Sequence, residues 1–257
     1  MSQSLIVTPL SGIPNIKSGD DLGSILIEQL DEMGLALQQG DVLAIAHKVF
    51  SKAEGCVYHL SDITPSSEAL ALGEKVNKDP RKVELILRES KRIIRADIRP
   101  DQEQGTLIAE HNLGFKCANA AVDESNADEA DTLITLPKNP DQSAQALRDQ
   151  LQAHYGVSVG VVMTDTFGRP WRLGQVNVAI GLAGVPATVS WEGGVDAFGN
   201  PLQVTCPAFA DEIAAASGLV MIKDKKTPAI LFRGLDWSPT HSSAADILRP
   251  SKEDLFR

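Results

Sequence analysis

The chain has 257 residues and a formal net charge of −10, with 43% apolar and 23% charged residues. A chain of this length can bury about 70–75% of the surface that it exposes when unfolded, so it needs neither disulfides nor a structural metal to fold. The acidic balance argues against a nucleic acid or an anionic membrane as partner. The three cysteines lie far apart, which excludes a disulfide framework and a zinc site. No signal peptide and no run of about 20 apolar residues is evident, so we expect a cytoplasmic protein.

Apolar runs bounded by turn residues predict buried strands along the whole chain. The run Val157–Met163 is too continuous to have a solvated face, which is typical of a strand covered on both sides. Between Ile93 and Leu136 the pattern is one of short strands and turns. The other predicted strands are residues 5–7, 42–46, 56–60, 176–182 and 228–233.

Amphipathic segments with start and stop signals predict the helices. Asp79-Pro80 opens one helix, which should bury Val83 and Ile86 and leave Lys82 in solvent. Asp141 should cap another. The predicted helices are Leu22–Leu30, Pro65–Val76, the segment after Asp79-Pro80, Ser143–Tyr155 and Glu212–Gly218.

Strands and helices mix without strict βαβ alternation, which predicts an α+β fold. The chain has no internal repeat and no low-complexity linker. We therefore expect mixed sheets with flanking helices, either as one domain or as two interleaved lobes. The predicted domain covers residues 1–236, and residues 237–257 form a polar C-terminal tail.

Several common catalytic motifs are absent from the sequence. There is no P-loop, no G-x-G-x-x-G after a strand and no H-E-x-x-H pair. There is also no G-x-S-x-G elbow. These absences exclude the most familiar nucleotide-binding and hydrolytic folds, and they leave carboxylates near strand ends as the candidates for chemistry.

Asp165 is the residue that points most directly to chemistry. It follows the strand Val157–Met163, lies between two threonines and opens a predicted loop, Thr164–Gly174, that contains Arg169 and Arg172. A carboxylate ringed by hydroxyls suits a hard cation such as Mg²⁺ or Mn²⁺, and two arginines can clamp phosphate or carboxylate oxygens. An Asx-turn with arginines in surface ion pairs has the same pattern, and the residues alone leave both interpretations open.

Weaker signals lie elsewhere in the chain. Asp123 ends an apolar segment and Asn126 follows it, so a second carboxylate could share a metal with Asp165, although a plain turn also explains this segment. Lys52, in the predicted polar loop Ser51–Gly55, can contact a phosphate as a point charge, while a solvated lysine is the commoner case. The turn Gly12-Ile13-Pro14 can bring backbone close to a ligand.

Ten short motifs run in order along Pro9–Leu235, nearly the whole chain. They are Gly12-Ile13-Pro14, Gly19–Leu22, Gly40–Leu43, Ser51–Gly55, Leu87–Ser90, Asp123–Asn126, Thr164–Arg172, Ala179–Gly181, Ala210–Glu212 and Arg233–Leu235. In this order they resemble the coenzyme F-420:L-glutamate ligases, the gamma-glutamyl ligase family.

This resemblance implies a cytoplasmic, homodimeric α+β enzyme. Its activity would be the GTP-dependent addition of L-glutamate to the lactyl-phosphate carboxylate of the deazaflavin F-420-0, followed by further gamma-linked glutamates. The carboxylate would be activated as an acyl phosphate, a step that asks mainly for positioning and charge neutralisation. Two divalent ions, Mn²⁺ or Mg²⁺, would take part, with K⁺ as a further candidate.

The resemblance also implies roles for individual residues. Asp123 and Asp165 would ligate metal, and Thr166 would contact a second metal. The catalytic residues would be Asp165, through the metal that it holds, and Arg169 or Arg172, which would neutralise phosphate charge during phosphoryl transfer. The implied nucleotide-binding residues are Ser11, Gly12, Ile13, Pro14, His47, Lys48, Lys52, Asn126, Met221 and Lys223.

The chain departs from the family pattern in two places. Relatives usually carry a glycine-rich loop after the methionine that corresponds to Met221, whereas Ile222–Pro228 is rich in lysine and has no glycine. Gln175 and Asn177 stand where apolar or small residues are expected. Lysines can replace backbone contacts to phosphate, so the choice between GTP and ATP stays open. The alternatives are a ligase for another acceptor or nucleotide, a non-catalytic cofactor-binding paralogue and a metal-dependent phosphatase.

Overall fold

The structure is a computed structural model that describes residues 4–124 and 130–254, apart from the side chain of Lys223. Its helices and strands follow the apolar periodicity of the sequence, and the mixed architecture confirms the α+β prediction. The strands are β1 Ile6–Leu10, β2 Val42–Ala46, β3 Val57–His59, β4 Ser90–Asp97, β5 Thr106–His111, β6 Lys116–Ala118, β7 Thr132–Ile134, β8 Gly160–Arg169, β9 Arg172–Ala183 and β10 Ala229–Arg233. The α-helices are α1 Leu22–Glu32, α2 His47–Ala53, α3 Ser67–Val76, α4 Pro80–Arg88, α5 Pro140–Tyr155 and α6 Phe209–Ser217.

The largest sheet has the strand order β1-β10-β2-β8-β9. Strands β2 and β8 are parallel neighbours at its centre, and the other pairs are antiparallel. Strand β2 is buried over four of its five residues, because both faces of the sheet are covered. The parallel pair matters for the site, since it brings the carboxyl end of β2 level with Thr164 in the middle of β8.

The buried apolar side chains of the described residues form a larger and a smaller hydrophobic core. The larger core takes its side chains mainly from the two ends of the chain, where the large sheet packs with α1, α5 and α6. The smaller core takes them from α3, α4, β5 and β7 in the middle of the chain. The neighbours Ala121 and Val122 belong to different cores, so the segment before Asp123 crosses between them. This arrangement agrees with the expectation of two interleaved lobes.

Two predicted loops are regular structure. The segment expected as the polar loop Ser51–Gly55 is mostly helical, because α2 starts directly after β2 and runs to Ala53. The segment expected as the loop Thr164–Gly174 is a β-hairpin, in which β8 and β9 pair across it up to Arg169 opposite Arg172. Both predictions were wrong for the same reason: polar residues were taken as loop residues, although their backbone pairs with neighbouring elements that the local pattern does not reveal.

Two smaller expectations are also corrected. Lys82 is buried rather than solvated, because its stem packs on the smaller core while its ammonium group lies 2.7 Å from Glu124 Oε1. Asn139, not Asp141, caps α5, and it accepts a hydrogen bond from the backbone N–H of Gln142. Asp141 instead accepts hydrogen bonds from the backbone N–H of Leu182 and from the Ser243 hydroxyl, so it ties α5 to β9 and to the C-terminal segment.

The segment after β10 lies against the body of the protein. Trp237 donates its indole N–H to the Gly40 carbonyl, and the Ser242 hydroxyl accepts from the Ala187 N–H. Two short 3₁₀ helices follow, at Ala244–Ile247 and Ser251–Glu253. The predicted domain boundary at residue 236 stays a prediction. In the part of the chain that the structure describes, none of the helices combines the length and apolarity needed to span a bilayer.

Candidate functional site

A cavity of about 700 Å³ opens where β2 ends beside the middle of β8, at the border between the two cores. Its walls come from both lobes. The larger lobe contributes the first turn of the chain after β1, the start of α2, the middle of β8 and the segment after α6, and the smaller lobe contributes the segment between β6 and Asp123. A cleft between two packed units is a common place for a ligand site.

The parallel pairing of β2 and β8 brings His47 and Asp165 together. Ala46 lies opposite Thr164 in this register, so the residues that follow them, His47 and Asp165, stand at the same level. His47 Nε2 lies 3.4 Å from Asp165 Oδ1, and its Nδ1 lies 3.2 Å from the Ser51 hydroxyl. Burial lowers the pKa of His47 below its usual value, against the opposing effect of Asp165. The His47 ring is therefore neutral near pH 7.

Asp165 lies within β8 rather than in a loop. Its Oδ1 accepts a hydrogen bond from the backbone N–H of Thr166 at 2.7 Å, and its side chain is mostly buried. Desolvation and the nearby Asp165 carboxylate raise the pKa of Cys117, on β6, to about 12. The Cys117 thiol is thus protonated, and all three cysteines are free of disulfides.

Asp123 stands on the opposite lobe, where its backbone forms an isolated antiparallel bridge with Ile134. The Lys48 ammonium group, from α2, lies 2.5 Å from its Oδ2. The residues just before it, Asn119–Ala121, all have positive φ, which costs of order 1–3 kcal/mol each in non-glycine residues. This strained turn lines the cavity and carries the chain from β6 to Asp123.

Thr166 follows Asp165 on β8 and lines the same cavity. Its hydroxyl lies 2.9 Å from Asn177 Oδ1, on the facing strand β9. Asn177 is buried, and its amide nitrogen lies 3.3 Å from the Ser217 hydroxyl and 3.7 Å from Met221 Sδ. Strand β9 and the end of α6 therefore hold Thr166 in place.

Most of the predicted site residues that the structure describes lie together in this cavity. Its lining includes Ile13, Pro14, His47, Lys48, Lys52, Asp123, Asp165, Thr166 and Met221. Their individual roles stay predictions, because proximity to a cavity does not identify what each residue binds.

Four predicted site residues do not line the cavity. Ser11 is exposed beside Met33, and Gly12 packs on Gln29 so closely that a Cβ would collide with the amide oxygen. Arg169 and Arg172 lie at the far end of the β8–β9 hairpin, where Arg169 Nη2 donates to the Leu173 carbonyl. Asn126 lies outside the described residues, and the backbone of Lys223 lies in a short 3₁₀ helix.

Sequence reasoning missed several lining residues. Asn177 and Gln175 stood out only as departures from an apolar pattern, and Asn119 and Cys117 only as part of the Asp123 segment. Lys226 lines the cavity with φ = 52°, a conformation that non-glycine residues rarely adopt. Its signal in the sequence was the lysine run itself.

The donor set in the cavity fits a hard divalent cation. Carboxylate oxygens of Asp165 and Asp123 and the hydroxyl oxygen of Thr166 are the ligand types that Mg²⁺ and Mn²⁺ prefer. Among the described residues, no cluster of three or more histidine, cysteine or carboxylate side chains is present. An ion held here would therefore complete its shell with water or with substrate oxygens, as Mg²⁺ sites commonly do.

The sequence matches one protein family over most of its length. The sequence profile of the family described as F420-0:Gamma-glutamyl ligase matches residues 12–234. A protein of Methanopyrus kandleri named coenzyme F420:L-glutamate ligase is 44% identical over 259 residues, which is 99% of this chain and 98% of that protein. Proteins with the same name from Methanothermobacter thermautotrophicus and Methanocaldococcus jannaschii are 42% and 38% identical, over 96% and 95% of this chain and 97% and 94% of their own lengths.

Proposed function

We propose an activity for this chain from one premise: it belongs to the F420-0:gamma-glutamyl ligase family and is therefore a ligase. The proposed reaction joins the amine of L-glutamate to the lactyl-phosphate carboxylate of the deazaflavin F-420-0 and then adds gamma-linked glutamates. GTP supplies the driving force, and Mn²⁺ or Mg²⁺ is required, with K⁺ as a possible further ion. The names of the relatives support the acceptor and the amino acid.

The observation that carries the proposal is the placement of Asp123 and Asp165 on opposite lobes of one cavity that also exposes lysines. The lining holds two carboxylates and three ammonium groups, Lys48, Lys52 and Lys226. Carboxylates attract the divalent ions that accompany a nucleoside triphosphate, and lysines contact phosphate oxygens as point charges. A polyphosphate with its metal matches this mixture of charges better than an uncharged ligand does.

The chemistry needs no nucleophile from the protein. An oxygen of the acceptor carboxylate attacks the γ-phosphorus of GTP, the bond to the β-phosphate oxygen breaks, and GDP leaves. The glutamate amine then attacks the carbonyl carbon of the acyl phosphate, loses a proton, and expels inorganic phosphate as the amide forms. Divalent ions, when bound, neutralise phosphate charge during the first step.

The residues of the chain act by positioning. Lys48 and Lys52, on α2, would hold phosphate oxygens, and the backbone of Ile13-Pro14 would face the nucleotide. His47 would enter as a neutral ring because burial lowers its pKa. Holding two substrates in line can supply up to about 7–11 kcal/mol of the barrier reduction. The lysine-lined cavity at the lobe border suits that task.

The proposal is tested by incubating the purified protein with F-420-0, L-glutamate, Mn²⁺ and GTP, with ATP in a parallel reaction, and recording product masses. We expect products heavier by one and then more glutamate residues with GTP. The matched control is Asp165→Asn in the same mixture. No mass gain with either nucleotide would contradict the proposal, and phosphate release without any acceptor would instead indicate a phosphatase.

One observation favours a second candidate, a ligase of the same fold with ATP or another acceptor. The segment from Ile222 to Pro228 lines the cavity with Lys226 and Thr227 but has no glycine to bring backbone against a nucleotide. Product formation with ATP alone, or with a different carboxylate acceptor, would support this candidate. A protein that binds Mn²⁺-GTP but forms no product with any acceptor would be a non-catalytic paralogue.

We also propose that the protein is a homodimer. Large apolar side chains are exposed at the hairpin tip and in the loop that follows β9, with Leu173 98% and Phe198 91% exposed. Large apolar side chains that form an exposed patch mark association surfaces, and the exposed tip residues Trp171 and Leu173 lie close together in sequence. Light scattering that gives the mass of one chain at micromolar concentration would contradict this part of the proposal.

A further inference from the structure

A chain of three hydrogen bonds links the end of α6 to the Thr166 hydroxyl at the cavity wall. Ser217 is fully buried, and its hydroxyl donates to the Ala214 carbonyl at 2.6 Å. Asn177 lies 3.3 Å from Ser217 on one side and 2.9 Å from Thr166 on the other. The direction of each bond follows from the number of protons that these groups carry.

Ser217 fixes the orientation of the Asn177 amide. A hydroxyl has a single proton, and Ser217 uses it on the backbone carbonyl, so its oxygen must accept from Asn177. The NH₂ group of Asn177 therefore points to Ser217, and its carbonyl oxygen points to Thr166. The fit is close, because a Cβ at Gly218 would lie 3.4 Å from the Asn177 amide nitrogen.

The amide orientation in turn fixes the Thr166 hydroxyl. A carbonyl oxygen cannot donate, so Thr166 must give its proton to Asn177 Oδ1. The lone pairs of Thr166 Oγ1 are then left for the cavity that this residue lines. In this state the hydroxyl can serve a cation as a ligand, whereas a freely rotating hydroxyl would also offer its proton to anionic oxygens.

We infer that Asn177 is a positioning residue that holds Thr166 as an oxygen ligand for a divalent cation. The inference rests on the proposed function, because it assigns the Thr166 oxygen to the metal that accompanies the nucleotide. It goes beyond the proposed function by giving a role to Asn177. In the sequence, this residue is notable only as a polar side chain where an apolar or small residue is expected. Partners one shell out from a metal ligand typically change metal affinity about 10–100-fold when removed.

The test is Mn²⁺ binding without turnover, measured by the electron paramagnetic resonance of free Mn²⁺ in the presence of a non-hydrolysable GTP analogue. We expect Asn177→Leu to weaken at least one Mn²⁺ site by about 10–100-fold. Thr166→Val removes the oxygen itself and should weaken the same site to a similar extent. Circular dichroism and thermal unfolding identify variants that are folded.

The double variant Thr166→Val/Asn177→Leu is the decisive control. If Asn177 acts only through the Thr166 oxygen, Asn177→Leu has nothing left to affect in the Thr166→Val protein. The double variant should then differ from Thr166→Val by less than about 2-fold in Mn²⁺ affinity, because the effects of coupled residues do not add. Additive losses would overturn the inference, because they would show that Asn177 acts through the general packing of β9. Wild-type affinity in Asn177→Leu would overturn it as well.

Ser217→Ala provides a second route if Asn177→Leu does not fold. Alanine fits a buried helical position and removes the acceptor that orients the amide, together with the hydrogen bond to the Ala214 carbonyl. We expect weaker Mn²⁺ binding than in the wild type, and unchanged binding would overturn the inference. A wild-type protein that binds the GTP analogue but no Mn²⁺ would overturn it too, whereas loss of glutamate ligation with Mn²⁺ binding intact would count against the proposed function alone.

Discussion

The two ends of the β8–β9 hairpin use similar residues in opposite ways. In the half nearer the core, called the base, Asp165, Thr166 and Asn177 are mostly buried and line the cavity, tied to α2 and to the end of α6. At its tip, Trp171 is 87% and Leu173 98% exposed. Strand pairing joins the two ends, with register shifts between Met163 and Thr164 and between Gly168 and Arg169.

Residues that are close in sequence can still lie far apart in space when they follow one another along an extended strand. Arg169 is only four residues from Asp165, yet at about 3.3 Å per residue along a strand it lies roughly 13 Å farther out. Arg169 donates to the Leu173 carbonyl, and neither arginine lines the cavity, although Gly168 next to Arg169 does. The base therefore bears the proposed chemistry, and the tip is the proposed contact surface.

The largest effect is expected at the base, from Asp165→Asn. Loss of a carboxylate that holds a divalent ion costs several kcal/mol in the transition state, so turnover should fall by about 10³-fold or more. The apo melting temperature should stay the same or rise, because asparagine can still accept the Thr166 N–H and removes a desolvated charge. Steady-state assays and thermal unfolding measure the two quantities. A large loss of apo stability would favour the interpretation of Asp165 as a turn residue.

A smaller effect is expected from Thr166→Val, which keeps the shape of the strand. It should lower the apparent affinity for Mn²⁺ by about 10–100-fold and be partly overcome by excess Mn²⁺, because one neutral ligand is lost while the carboxylates remain. Activity measured across a Mn²⁺ titration checks this. Thr166→Ser, which restores the hydroxyl, serves as the control, and equal defects in both variants would contradict the role of the oxygen.

A still smaller effect is expected from Arg172→Ala at the tip. Its side chain is exposed and outside the cavity, so kcat/KM should change by less than about 3-fold if each chain works alone. A loss in kcat/KM of about 100-fold or more would contradict the assignment of the chemistry to the base alone. It would mean that the tip reaches the cavity of a second chain, as the predicted catalytic role of the arginines would require.

The exposed apolar tip should affect association rather than chemistry. Trp171→Ser together with Leu173→Ser should shift a dimer towards monomer in sedimentation velocity while the apo fold remains intact, since these side chains bury little within the chain. Arg172→Ala is the control for a tip change that removes no apolar surface. An unchanged dimer in the double variant would place the interface elsewhere.

The smallest expected effect concerns thiol chemistry at the base. Burial and the nearby Asp165 raise the pKa of Cys117 to about 12, so at pH 8 its thiol stays protonated and should react slowly with iodoacetamide. Exposed Cys206 should be modified first. Peptide mass mapping after short exposure measures the order, and early modification of Cys117 would show that the base of the hairpin is more open than the structure describes.

Much of the architecture could be predicted because it depends on local periodicity. The strand at Val42–Ala46 and the helix after Asp79-Pro80 carry their own start, stop and burial signals, and the structure confirms both. The hairpin around Thr164–Gly174 could not be predicted in the same way. Its polar residues look like a loop until β8 and β9 supply each other with backbone hydrogen bonds.

The sequence by itself determined the α+β class, the family and the choice of Asp123 and Asp165 as candidate site residues, because each follows from residue types and their order along the chain. The tertiary structure decided which of the predicted residues meet. Parallel pairing of β2 with β8 sets His47 beside Asp165, and burial against α6 orients Asn177 towards Thr166. These outcomes depend on contacts between segments more than a hundred residues apart, or on the number of protons that buried groups can share, and no local pattern encodes either.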